Sequence, residues 1–259
     1  MFMAGHLDYV LLLFLRVSGL LVGSPVFGRK NVPSMSKIGF SAVLTLVLLT
    51  GAPEPAAYPV YQNLLVYVLV CLKELFFGAA MGFVLTAMFH LTMTAGGIMD
   101  YQIGYSMANI YDAQSNMQTP VTGNLFNLML LLIFFSMDGH LKLIGMLART
   151  VEAVPVGTAS VPPGIVWVAV QVMTQSFILA VMVAMPVLAA GMLLEVALGA
   201  VIKTVPQMNM FVVGIPLKLI LGLLVLSLSL AAFADFSKVI FDQTFQFVGV
   251  MFEALERAA

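Results

Sequence analysis

NLLVYVLVCLKELFFGAAMGFVLTAMFHLTMTAGG, residues 63–97, is apolar almost throughout, its only formal charges being the adjacent Lys73 and Glu74. A hydrocarbon core about 30 Å thick is crossed by roughly 20 helical residues. The run at about 64–95 therefore exceeds one span by roughly ten residues or more, so it must tilt, bend or project from the lipid. The other apolar runs, at about 9–28, 38–51, 124–137, 164–202 and 217–234, are just as uneven. Residues 38–51 and 124–137 fall short of a span, while 164–202 again overshoots. This pattern predicts an all-α, membrane-associated chain of about six uneven, partly broken helices forming helical hairpins, rather than a uniform six-span bundle.

Composition narrows the function classes. Hydrophobic residues make up 61% of the 259 positions and charged residues 9%, against roughly a quarter charged in a soluble domain. A net charge of -1 gives no field to attract nucleic acid or to hold a membrane surface by electrostatics alone. The single cysteine, Cys71, cannot form an internal disulfide and reads as a small buried hydrophobe. The opening MFMAGHLDYVLLLFLRV lacks a basic region ahead of its apolar stretch and reads as a retained first helix, not a cleaved signal. Arg29, Lys30 and Lys37, and later Lys203 and Lys218, mark cytoplasmic loops by the positive-inside rule, which puts both termini outside. With no fixed-period repeat and no separate soluble stretch, residues 1–259 read as one domain. The longest polar interruptions are 100–120 and 138–163.

Motifs for chemistry are sparse. GSPVFGRK, residues 23–30, has the glycine separation of a phosphate-binding loop, but Arg29 and Lys30 stand where Lys and Ser or Thr are required, and no strand leads in. His6, His90 and His140 have no further ligand at metal-binding spacing on a helix face. Asp138 and His140 could form a dyad, yet no nucleophile with a supporting motif accompanies them, and G-x-S-x-G and H-E-x-x-H are missing from the sequence. No cofactor is called for, and the reading is non-enzymatic.

Charges inside the apolar runs raise a different question. Lys73 and Glu74 point about 100° apart on a helix and cannot simply neutralise each other. Either both lie at a wet helix edge, or they meet partners on neighbouring subunits, since membrane-embedded charges usually face protein. Glu195 and Lys203, eight residues apart, share a face of their helix and pose the same choice. GLLVG at 19–23 and GAAMG at 78–82 have the G-x-x-x-G spacing that lets helix backbones approach closely.

Two further stretches stand out. KTVPQMNMFVVGIPLK, residues 203–218, contains Pro206, Gly214 and Pro216, each of which opposes a regular helix, so a reversal or re-entrant turn is expected. Gln207 and Asn209 supply amides that can cap such a turn. DYQIGYSMANIYDAQSNMQTP, residues 100–120, is too rich in amides for lipid and has only Asp100 and Asp112 as formal charges, fewer than an ordinary aqueous loop.

Taken with LRVSGLLVGSPVFG near the start, YQIGYSMANIYDAQS and VPQMNMFVVGIPLK make the chain resemble the FliR family of flagellar export-gate components, which is similar to the T component of virulence-type injection systems. The resemblance covers essentially the whole chain. It implies a hetero-oligomeric helical pore in the bacterial inner membrane, at the flagellar basal body, built with FliP and FliQ, with FlhB associated, through which unfolded substrates pass. In such proteins the segment matching 100–120 plugs the pore.

The chemistry of that segment suits a plug, which must seal a channel and then yield to any polypeptide. Gln102, Asn109, Gln114, Asn116 and Gln118 offer hydrogen bonds worth only about 1 kcal/mol net each, which water or a passing chain can replace. Met107 and Met117 fill irregular gaps, and Tyr105 and Tyr111 combine apolar bodies with polar tips. Gly104, Pro120 and Gly123 bracket the segment as hinge points. The resemblance also makes Lys73, Glu74, Glu195, Lys203, Pro206, Gln207, Asn209 and Lys218 candidates for subunit interfaces or turns. The competing reading is a stand-alone small-solute transporter or channel, which would need matching broken helices in two halves; the break at 206–216 has no counterpart.

Overall fold

The computed structural model describes residues 2–29, 31–51, 61, 63–105, 120–205 and 209–257. Among them are seven helices and no strand: α1 (Phe2–Val22), α2 (Ser34–Gly51), α3 (Leu64–Ile103), α4 (Val121–Ser136), α5 (Gly139–Ala153), α6 (Ile165–Thr204) and α7 (Met210–Glu256). At 1.5 Å per residue, α3 and α6 are each about 60 Å long and α7 about 70 Å. Four helical stretches, Ser34–Gly51, Leu64–Ile103, Ile165–Thr204 and Val212–Glu256, are long and apolar enough to cross a membrane. The chain has the make-up of a multi-pass membrane protein.

Three features depart from the reading of runs. Residues 138–163, expected as a polar interruption, contain α5. Its mean hydropathy is unremarkable because apolar residues dominate only one face: Leu143, Leu147 and Val151 recur every four residues and are buried, whereas Arg149 and Glu152 face outward. The last run, expected to end near 234, continues as helix to Glu256, because Ile240, Phe241, Val248, Met251 and Leu255 keep one buried stripe beneath the added charges. Gly214 and Pro216 do not break the chain but lie inside α7. Pro216 is exposed there and removes one backbone hydrogen bond without ending the helix.

The chain divides into two compact units, Met1–Met88 with Phe134–Met173 and Phe241–Ala259, and Phe89–Ile133 with Thr174–Ile240. In the first unit, Leu13, Val17 and Leu20 of α1 and Phe77, Met81 and Val84 of α3 follow helical spacing and are buried, with Leu147 of α5 and Met251 of α7 in the same core. The two G-x-x-x-G motifs meet each other. A Cβ on Gly78 would stand 2.0 Å from the Arg16 carbonyl oxygen, and one on Gly82 2.9 Å from the Gly23 Cα. Only hydrogen fits between these backbones. The Thr86 hydroxyl donates to the Gly23 carbonyl across the same seam.

That closeness sets up a buried charge cluster. The Arg16 Nε donates to Glu74 Oε2 at 2.6 Å and its Nη2 to Oε1 at 3.0 Å, and neither side chain has any solvent exposure. Arg16 Nη1 donates to the carbonyls of Thr150, in the last turn of α5, and Val154, just after it, at 3.0 and 2.9 Å. The Gly157 N–H donates to Glu74 Oε1 at 2.7 Å, and the guanidinium stands 4.5 Å from the Phe77 ring centre. Glu74 is thus neither at a wet edge nor free for a neighbouring subunit, because Arg16 on the adjoining helix neutralises it; Lys73 is exposed. Just ahead of α3, burial, assisted by Glu74, Cys71 and Asp8, pushes the Tyr61 phenol above its ordinary value.

In the second unit, Met99 and Ile103 of α3, Phe126 and Leu130 of α4, Leu179 and Val187 of α6 and Phe233 of α7 are buried. Phe126 meets Phe233 edge to face at 4.5 Å between centroids.

Candidate functional site

The polar stretch 100–120 leaves from the end of α3 and returns at the start of α4, and both ends are described. Gly104 takes φ +97, a conformation that costs glycine little and a side chain much, and α3 stops there. Pro120 stands directly before α4, where its missing N–H costs nothing. Tyr105 is half-buried beside Gly104. Met107, Asn109, Tyr111, Gln114, Asn116, Met117 and Gln118 lie outside the described residues, as do Pro206 and Gln207.

Beneath the stretch, α3 and α4 are clasped. The Asp100 carboxylate, 7% exposed, accepts from the Thr122 N–H at 3.3 Å and from the Thr122 hydroxyl. A Cβ on Gly96 would lie 2.0 Å from the Gly123 nitrogen, and one on Gly123 3.1 Å from the Met93 Cα. Gly123, expected as a hinge, is instead a point of backbone contact within α4, because the helices need its missing side chain to approach. One turn further on, Asn127 donates to the Thr92 hydroxyl at 3.2 Å. Sequence reasoning did not single out Thr122. Its signal was faint: an acid one turn before Gly104 and a threonine just after Pro120, a pair that gains meaning only once both helices are known to meet.

In the second polar stretch α6 ends at Thr204 and α7 begins at Met210, a break whose described residues are Val205 and Asn209. Asn209 takes the position before α7, and its backbone carbonyl accepts from the Val212 and Val213 N–H groups at 3.2 and 3.3 Å. Glu195 and Lys218 stand ten residues before and nine after this break, so a hairpin brings them level. The Lys218 Nζ donates to Glu195 Oε1 at 2.5 Å, and Gln102 of α3 donates to the same oxygen at 3.4 Å. Lys203, which raised the same choice as Glu195, is exposed and lies eight residues along the same helix, about 12 Å by helical rise, so it does not join this pair. Gly191 and Gly222 make room for this arrangement, since a Cβ on either would stand 2.4–2.6 Å from the Gln102 and Ile103 side chains. The cluster is half-open, with Glu195 47% and Lys218 27% exposed.

Residues considered for catalysis do not converge. Asp138, the only non-glycine with positive φ among the described residues, turns the chain between α4 and α5. The buried His140 Nδ1 has no hydrogen-bond partner among the described residues, so it is not bonded to Asp138. No three His, Cys, Asp or Glu side chains among the described residues come together to hold a metal.

Comparison with known proteins supplies the family. Residues 7–244 match the family model described as bacterial export proteins, family 1. The flagellar biosynthetic protein FliR of Bacillus subtilis is 32% identical over 219 residues, covering 83% of each chain. The protein of that name in Escherichia coli is 28% identical over 231 residues, 89% of this chain and 87% of the relative. That of Aquifex aeolicus is 29% identical over 248 residues, 92% and 95% of the two chains. With the match running through six helices and into the seventh, the chain belongs to the bacterial export proteins of family 1, as a FliR-family export component.

Proposed function

We propose that this chain is a non-enzymatic structural and gating subunit of the bacterial flagellar type III protein-export channel. The observation that carries the reading is the family match across residues 7–244, with relatives named flagellar biosynthetic protein FliR aligned over most of their length. In this reading the chain sits in the inner membrane at the flagellar basal body. It completes a helical pore with FliP and FliQ, FlhB associates with it, and residues 100–120 plug the passage to unfolded substrates.

The clasp at Asp100–Thr122 supports the plug reading, because a segment that yields to a passing chain needs a base that does not. Its amides, tyrosines and methionines provide contacts weak enough to be exchanged one at a time. The unlike partners have a direct test: on native gels the membrane-extracted protein should migrate with FliP- and FliQ-type chains, and migration alone or as a homo-oligomer would favour a stand-alone transporter. The plug has another. Deleting Ser106–Gln118 should leave the complex assembled but make membranes leak ions, and tight membranes in a conductance assay would remove that role from the segment.

A further inference from the structure

The Arg16–Glu74 cluster contains more than a pair of opposite charges, and its surplus bonds have a direction. Three of its polar contacts go to backbone that a generic ion pair would ignore. Arg16 Nη1 reaches the Thr150 carbonyl, which also accepts the Val154 N–H, and the Val154 carbonyl, at the end of α5 where the helix dipole is negative. Glu74 Oε1 takes the Gly157 N–H, from a turn in which Gly157 itself adopts φ +95. The carbonyls can be satisfied only by a donor, and the N–H only by an acceptor. The guanidinium is suited to this because its fork reaches the carboxylate and both carbonyls together, whereas an ammonium is a point charge.

We infer that Arg16 and Glu74 form a one-way staple: they fasten the end of α5 and the turn at 154–157 onto α1 and α3, and do so only with the cation on α1 and the anion on α3. Val154, Val156 and Ala159, buried around the staple, are its packing. The staple fixes where the chain leaves α5 and so sets the path into α6. All its members lie in the first compact unit.

A plain ion pair and a one-way staple predict different outcomes on charge reversal. Arg16→Glu and Glu74→Arg should each lower accumulation of the full-length protein in membranes, and the double variant should do no better than the singles. Recovery of the double variant to more than half the native level would overturn the inference. Arg16→Lys gives a milder second test, because it keeps the charge opposite Glu74 but cannot span all the acceptors. With Cys71 replaced by Ser, a cysteine at Ala159 in native membranes should react with a maleimide about tenfold faster in the Arg16→Lys background, the factor expected for losing one charge-assisted hydrogen bond. A cysteine at Val84, buried in the same unit, should be unaffected. Unchanged labelling at 159, or equal acceleration at 84, would sink the staple.

Discussion

Two ion pairs in this chain have the same chemistry and opposite surroundings. Arg16–Glu74 is sealed from solvent, and every carboxylate oxygen has a donor, one of them two. Glu195–Lys218 is half-open, and a single oxygen of Glu195 serves both Lys218 and Gln102. The first is expensive to break, because the remaining charge would be stranded in an apolar interior. The second exchanges readily with water and is worth little on its own. Local charge pattern hardly distinguishes them, since each acid sits in a long apolar helix. What differs is whether neighbouring backbone closes over the pair. The double-glycine seam does so for Arg16, whereas the hairpin of α6 and α7 leaves Glu195 at a rim.

The contrast can be broken most directly at its buried end. Glu74→Ala should lose about 3–5 kcal/mol of unfolding free energy, read as a fall in thermal midpoint in detergent, and a loss under about 1 kcal/mol would erase the distinction. In the second unit, Asp100→Ala should cost about 1.5–3 kcal/mol, because it strips a buried hydroxyl and an N–H of a charged acceptor. That places a buried carboxylate without a cation between the two ion pairs, and denaturant titration would rank them. Gly96→Ala should cost about 1–3 kcal/mol by forcing α3 and α4 apart, whereas Gly145→Ala, with open space around its Cβ, should be neutral or stabilising by up to about 1 kcal/mol. Parallel melts of the two variants would test that. The smallest effect is expected for Glu195→Ala, within about 1 kcal/mol and shrinking further at high salt. A larger, salt-independent loss would mean that the pair is sealed in the working protein.

Much of this architecture could be read along the chain. Run lengths revealed uneven helices, and glycine spacing picked out both sides of the α1–α3 seam, though not that 19–23 and 78–82 face each other. α5 was hidden because average hydropathy cannot see a helix with one apolar face, and Leu143, Leu147 and Val151 speak only through their spacing. Pro216 misled because local propensity opposes a helix there, yet a single proline costs one backbone hydrogen bond in a helix of 47 residues. For the site, Glu195 was legible as a charge needing a partner, but its partner was not. Lys203 is closer in sequence, and only the end of α6 at Thr204 and the start of α7 at Met210 bring Lys218 level with it. Arg16 passed unnoticed because a single arginine in an apolar helix looks like a boundary marker until Glu74 is known to face it. The two ends of the polar insertion announced themselves through Gly104 and Pro120, while the clasp beneath them needed the third dimension.

The length of α6 bears on how the protein must be made. Large apolar side chains are exposed from Val166 and Trp167 near its start, through Phe177 and Met185, to Leu193, Val196 and Val201 near its end. A helix about 60 Å long carries that greasy surface over roughly twice the thickness of a bilayer's oily layer, more than the usual tilt of up to about 40° takes up. Such a surface is mismatched to water all along its length and is longer than one straight crossing of lipid. Any detergent that extracts the protein must therefore coat a longer apolar belt than a single span presents.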